Sequence, residues 1–173
     1  MPNNPPCQLT AKDMSVLEGM MDRLKAQSQA DSAMARLLGR KLAAARICFR
    51  DDIDPRVATI NSRIQFRVGS GSIETCVLTH GGESALPGTA LSISSLYGLA
   101  LLGLTEGDTI AVEEADGKSD VLHVVRVVHQ PEAARLRNHR TGLRLIHGAQ
   151  TRHSRASEIS DGPDDDDPGP RAA

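Results

Sequence analysis

The 173 residues carry 39% hydrophobic content, enough to bury one ordinary core with a small satellite element. Twenty basic against twenty-two acidic side chains leave a formal net charge of -2, so nothing pulls the whole chain toward nucleic acid or an anionic membrane, and any such contact has to be local. Cys7, Cys48 and Cys76 are odd in number, far apart and without a C-x-x-C pair, so neither a disulfide framework nor a structural zinc site is suggested, and a reducing, cytoplasmic setting fits best.

Residues 1–9 read as a flexible N-terminus: Met1 to Pro6 lack a basic region followed by an apolar run. No stretch approaches the ~18 apolar residues of a membrane span, so no membrane partner is expected. Residues 10–50 follow helical periodicity. Met14, Leu17, Met21 and Leu24 are spaced by three and four, and the spacing recurs in Leu38, Leu42, Ala45 and Phe49. Thr10 with Asp13 is a capping signal, and Asp31 is placed to cap a second helix, which leaves Gln27-Ser28-Gln29-Ala30 as the turn. The expectation is a short antiparallel helical hairpin of coiled-coil type with Gln27, Gln29 and Asp31 at its tip. Two helices of ~16 residues at ~1.5 Å per residue make an arm of only ~24 Å.

Asp51 to Arg56 interrupts the helix with Pro55, and strand patterns begin after it. Ser62 to Val68 alternates polar and apolar, Ile73 to Leu78 and Leu91 to Ile93 are shorter candidates, and Asp108 to Glu114 and Val121 to Val128 flank an Asp116-Gly117 hairpin signal. Between them lies an apolar segment, Ile93 to Asp108, punctuated by Gly98, Gly103 and Gly107. The fold class is therefore α+β: the hairpin, then residues 51–134 as an antiparallel sheet with one packed helix. Pro131 ends the last strand. Residues 135–173 read as a disordered charged tail, with Arg135, Arg137, Arg140, Arg144, Arg152 and Arg155 first and Asp161 and Asp164 to Asp167 after them. The arginines suit a nucleic-acid or polymerase contact, or are simply solvated charges balanced by the acids.

Catalytic patterns are few. Ile93 to Asp108 has hydroxyls and acids but no His, Cys or Lys to complete a nucleophile and base, so it reads as a docking element. His80, His123 and His129 lack metal-ligand spacing, a Cys76 and His80 pair lacks an orienting third group, and four adjacent Asp residues on a loose chain do not preorganise a cation site. No cofactor, metal or small-molecule substrate is expected, and the chain does not read as an enzyme.

Val57-Ala58-Thr59-Ile60-Asn61-Ser62-Arg63-Ile64-Gln65-Phe66-Arg67, then Ala100 to Leu104 with Gly107-Asp108, then His129-Gln130-Pro131-Glu132-Ala133 resemble the regulator of nucleoside diphosphate kinase (Rnk) family, within the wider group of Gre transcript-cleavage factors. The resemblance covers about residues 10 to 134. It implies an FKBP-like domain over residues 51–134 that docks on RNA polymerase beside the secondary channel, with the hairpin pointing into it. Ser95, Leu96, Tyr97 and Gly98 then stand at the docking end, with Tyr97 as anchor. The Gre cleavage factors carry an acidic pair at the tip of a long coiled coil. The tip here holds only Asp31, and one acid cannot replace two in holding a metal, so no transcript cleavage is expected. Their Ser-Pro at the start of the docking helix is Ser95-Leu96 here, which keeps an N-cap and loses the proline's fixed φ. The resemblance leaves two further readings open. The family name suggests regulation of a nucleoside diphosphate kinase through contact. FKBP-like folds also include peptidyl-prolyl isomerases, against which stands the scarcity of aromatics: Phe49, Phe66 and Tyr97 alone.

Overall fold

The computed structural model describes residues 5–29, 31–81, 89–113 and 117–142. The chain begins with a strand, β1 (Cys7–Thr10), where a flexible N-terminus was expected. Cys7 and Leu9 are buried, and the Gln8 amide donates to the Gly103 carbonyl at 2.9 Å, so the segment is fixed by both its apolar face and its edge.

Helix α1 (Ala11–Ala26) starts where expected: the Thr10 hydroxyl accepts from the Asp13 amide at 3.1 Å. It ends in a Schellman arrangement, with Ser28 at φ 57, the Ser28 amide donating to the Lys25 carbonyl and the Gln29 amide to the Leu24 carbonyl at 2.9 Å. Helix α2 (Ala33–Ala44) is capped by Ser32, whose hydroxyl accepts from the Ala35 amide at 3.1 Å. Asp31 is not the cap. It stands one residue too early, and only its carbonyl is engaged, by Arg36 at 2.7 Å.

The second helix stops at Ala44, five residues short of the expected Phe49. Ala45–Cys48 instead forms β2, parallel to β1 with Cys7 opposite Ala45 and Thr10 opposite Cys48. The apolar spacing that suggested helix is equally served here by an extended segment, because β1 lies alongside and pairs its backbone.

The main sheet has the order β5-β4-β3-β7-β6, built from β3 (Arg63–Val68), β4 (Glu74–Thr79), β5 (Ala90–Ser92), β6 (Thr109–Glu113) and β7 (Ser119–His129). It is not wholly antiparallel: β5 runs parallel to β4, with Val77 opposite Ala90 and Thr79 opposite Ser92. Helix α3 (Leu96–Leu101) follows β5 and contributes Leu99 and Leu101 to the core, with Leu102 just beyond it; each is 0% exposed. Past β7 the chain enters α4 (Pro131–Gly142), with Pro131 in the first turn, where its missing N–H costs nothing. Residues 135–142 are therefore helical where a disordered tail was expected; the rest of that tail, 143–173, lies outside the described residues.

The hairpin shares the core of the sheet domain. Leu17 and Met20 of α1 and Leu37 and Leu38 of α2 are buried in one cluster with Ile64, Leu99, Leu101, Leu102 and Leu122. Each fully buried leucine contributes roughly 1.5–3 kcal/mol.

Candidate partner-docking site

The sequence Ser92-Ile93-Ser94-Ser95 turns the chain from β5 into α3. The Ser95 hydroxyl donates to the Ser92 carbonyl at 2.6 Å and accepts from the Gly98 amide at 3.1 Å, capping the helix. Gly98 is required here: a Cβ would stand 2.1 Å from the Ser92 carbonyl oxygen, so the turn can close only over a bare Cα. Gly98 is buried and offers no surface of its own, whereas Ser95, Leu96 and Tyr97 are half-buried.

Leu96 sits between two clefts. It forms one of about 260 Å³ with Leu91, Ser95 and Tyr97. It also closes one of about 360 Å³ against α2, lined by Ala33, Arg36, Leu37 and Arg40 with Val112 and Glu113 on the sheet side. Tyr97 donates its hydroxyl to the Asp120 carboxylate on β7, which fixes its ring against the sheet. At the hairpin tip Gln27, Gln29 and Asp31 are exposed. Gln27 shares a cleft of about 210 Å³ with Met20, Arg23, Leu24, Met34 and Ser94, so the tip end of the hairpin and the start of α3 belong to one face. Gln29 and Asp31 line none of these clefts.

Behind this face lies a buried lysine with no counterpart among the sequence expectations. Lys41 of α2 is 1% exposed, and its Nζ donates to the Leu102 carbonyl at 2.5 Å with Cys7 Sγ at 3.9 Å. Burial pushes the Lys41 ammonium down and the Cys7 thiol up from their ordinary pKa values. The carbonyl at the C-terminal end of α3 is thus held by a side chain of the hairpin. A lysine within an amphipathic helix reads as surface, and only the neighbouring β1 explains its burial.

A second polar group braces α4. Thr59 donates to Glu132 Oε2 at 2.7 Å and lies 2.8 Å from the Ser62 hydroxyl. Asn61 stands at φ 70 with its amide on the Leu78 carbonyl at 2.7 Å. The Asn61-Ser62 motif is thus a turn that enters β3, is bonded to Leu78 of β4, and supports Thr59, which reaches α4. Asp13 lies in this region at 2% exposure, its Oδ2 without a partner; burial pushes its carboxyl up from the usual range, and Glu132 adds to the shift.

None of this assembles a nucleophile. Burial holds the Cys76 thiol up to about 12, the opposite of what attack requires. Among the described residues no three His, Cys, Asp or Glu side chains cluster as metal ligands, and no helix is long and apolar enough to cross a membrane. What the geometry offers instead is a half-buried leucine and tyrosine at a helix start, flanked by shallow clefts.

The chain matches no protein-family model. It is similar to proteins named regulator of nucleoside diphosphate kinase from Escherichia coli K12 and Shigella flexneri, 33% identical over 112 residues, 64% of this chain and 82% of the relative in each case. Among solved structures it resembles a prokaryotic transcription elongation factor GreA/GreB from Nitrosomonas europaea, with a TM-score of 0.54 at 28% identity, covering 71% of this chain and 99% of that one.

Proposed function

Because the chain belongs to the regulator of nucleoside diphosphate kinase family, we propose that it is a bacterial transcription regulator that binds RNA polymerase near the secondary channel. There it competes with Gre-type factors and does not stimulate transcript cleavage. The observation that carries this reading is the face shared by Leu96, Tyr97, Ser94 and Gln27, where an apolar patch at the start of α3 adjoins the hairpin tip. Interface hot spots favour tyrosine, and side chains held rigid before contact leave little ordering to oppose binding. Tyr97 is held by Asp120, and Leu96 by the Ser95 cap. A Gre-type elongation factor of similar fold supports a polymerase as the partner. The tip carries Asp31 as its single carboxylate, which supports occupancy without metal delivery.

The test is binding of the full chain to core RNA polymerase, with Leu96→Ala, Tyr97→Ala and Tyr97→Phe, alongside cleavage of a backtracked transcript. The expected result is saturable binding, weakened about tenfold or more by either alanine, as for an interface anchor, with no cleavage and with loss of Gre-stimulated cleavage as the chain is added. Absence of binding removes the reading. The name of the relatives favours a second one, contact with a nucleoside diphosphate kinase. Retention of that enzyme, and not polymerase, on immobilised chain would establish it.

A further inference from the structure

The outward side of the main sheet gathers cations. Along β3, Ile64 and Phe66 enter the core, so Arg63, Gln65 and Arg67 point to the other side, where both arginines are exposed. Strand β7 does not keep step with β3. It uses three residues where β3 uses two, with shifts of register at Arg63/Ile64 and at Gln65/Phe66, and so sets His129 opposite Arg63, Arg126 opposite Gln65 and His123 opposite Arg67. A regular strand would turn Val125 and Val127 outward with His123 and carry Arg126 toward the core. The bulges at Val125 and Val128 reverse this: Val127 packs on the core and Arg126 is exposed.

Among the described residues, no ion pair or side-chain hydrogen bond engages Arg63, Arg67 or Arg126. Their neighbours across the strands add no acid: on β4 Val77 faces Arg63 and Thr75 faces Gln65, and on β6 Thr109 faces His123. Glu74 and Asp120 stand opposite the buried Phe66 and Val112, at positions of the inward parity. Two acids border the outward face. Glu106 lines a cleft beside Arg126 and His129 and accepts the Val127 amide, and Glu113 lies at the far end of β6, opposite Ser119 and roughly 13 Å along the strand from Thr109. Neither is ion-paired with an arginine of the face. Like charges on adjacent strands destabilise a sheet when no acid lies between them. A bulge that turns a third arginine out beside two others therefore suits an anion from outside the fold.

We propose that this face binds the phosphate backbone of duplex DNA, with Arg63, Arg67 and Arg126 on phosphates and no reading of sequence. Guanidinium forks match phosphate oxygens in geometry and charge. Arg63 and Arg67 stand four residues apart on β3, about 13 Å, with Arg126 between them on the next strand, so the three form one compact patch. Single strands are held largely by stacking bases on aromatic side chains. Phe66, the only Phe, Tyr or Trp on these strands, is buried. A duplex instead offers the denser row of phosphates, about one charge per 1.7 Å. The contact uses no residue of the α3 face and none of the arginines beyond residue 142. Only the choice of DNA among duplexes rests on the transcription reading, and the contact is testable without polymerase, so each can fail separately.

The experiment is fluorescence anisotropy of a labelled DNA duplex of about 20 base pairs, titrated with the full chain from about 50 to 200 mM salt. The proteins are wild type, Arg63→Gln, Arg67→Gln, Arg126→Gln and the triple variant. Three phosphate contacts give an affinity that falls about 40-fold or more across that range, a slope of about -2.7 or steeper in log affinity against log salt. Each single substitution is expected to reduce the slope by about 0.9 and the affinity at ~0.1 M salt about eightfold, on duplexes of unrelated sequence alike. The triple variant is expected to lose all three increments. The three side chains are exposed, so each variant should keep the wild-type melting curve, which separates a lost contact from a lost fold. Affinity and slope unchanged in the triple variant would overturn the proposal and assign the binding to arginines beyond residue 142. Absence of binding at ~50 mM salt would overturn it as well, as would tighter binding of the corresponding single strand or a strong dependence on sequence.

Discussion

Replacing Asp13 by Asn tests how the hairpin and α4 are joined. One carboxylate oxygen of Asp13 has no partner, and the group faces the buried Glu132 as well as the helix amides. Its charge gains something at the first turn of α1, of order 0.3–1 kcal/mol, and the Ile60 amide and Thr10 also favour it. Burial outweighs these gains and raises the pKa. Asn keeps the shape and the accepting oxygen, removes the charge, and presents an N–H where the orphan oxygen stood, next to the Glu132 carboxylate. The expected gain is on the order of 1 kcal/mol at neutral pH, the low end for relieving an unmet buried polar atom, or about 3 °C in Tm for a folded unit of this size. The sign with pH follows from the raised pKa. Between the ordinary 3.8 and the folded value the native state binds more protons than the unfolded one, so wild type loses stability as pH rises through that window. The Asn variant has no such loss. Its advantage over wild type is therefore small below the ordinary carboxylate pKa, grows through the window and is constant above it. Urea midpoints of both proteins from acid to neutral pH measure this directly. A variant less stable than wild type at neutral pH, or an advantage that does not change with pH, would refute the reasoning.

Three further outcomes are expected. Ser28→Gly removes a left-handed residue with a Cβ at the hairpin turn, and should raise the unfolding free energy read from urea curves by about 0.5–1 kcal/mol with the slope unchanged, since the unfolded-state freedom of glycine cancels part of the gain. Gly98→Ala places a Cβ against the Ser92 carbonyl, and should cost about 3 kcal/mol because the obstacle is backbone; a loss below ~1 kcal/mol in the same assay would mean that the turn yields freely. Cys76, held up to about 12, should stay unmodified by iodoacetamide in the native protein at about pH 8 and become modified in denaturant, as read by peptide mass.

Where the chain follows local rules, the sequence was legible. The alternation in Arg63–Val68 and Thr109–Glu113, the Thr10 cap and the Ser95 cap are each set by residues within a few positions, and all stand as expected. What was missed depends on partners distant in sequence. β1 and β2 exist because each is the other's ladder, and a four-residue strand alone carries no readable period. The same holds for α4: its helical surface is polar, and it is anchored by Thr59 on Glu132 and by Gln130 on the 54–57 loop, some seventy residues away in the chain. Lys41 and Asp13 were hidden for a related reason. Charged residues on a helix are read as solvent-facing, and only the packing of β1 and α4 shows otherwise. In the site, Ser95, Leu96 and Tyr97 were legible as a helix start, whereas the burial of Gly98 and the Tyr97 contact with Asp120 were not.

The packing of the hairpin bears on how the proposed competition would work. Its helices suggested a ~24 Å arm. The last fully buried residue on α1 is Met20, so at most six residues of that helix, about 9 Å, extend past the core before Ala26. Leu24 and Met34 are packed against the same cluster, which shortens the free part further. An element of that reach does not fill a deep channel from its mouth. Lys41 works in the same direction, because its bond to the Leu102 carbonyl ties the hairpin to the end of α3. On the polymerase reading, exclusion of other factors then falls to the α3 face itself, with the tip shaping its border. That places the discriminating chemistry in Leu96 and Tyr97 and not in the exposed glutamines.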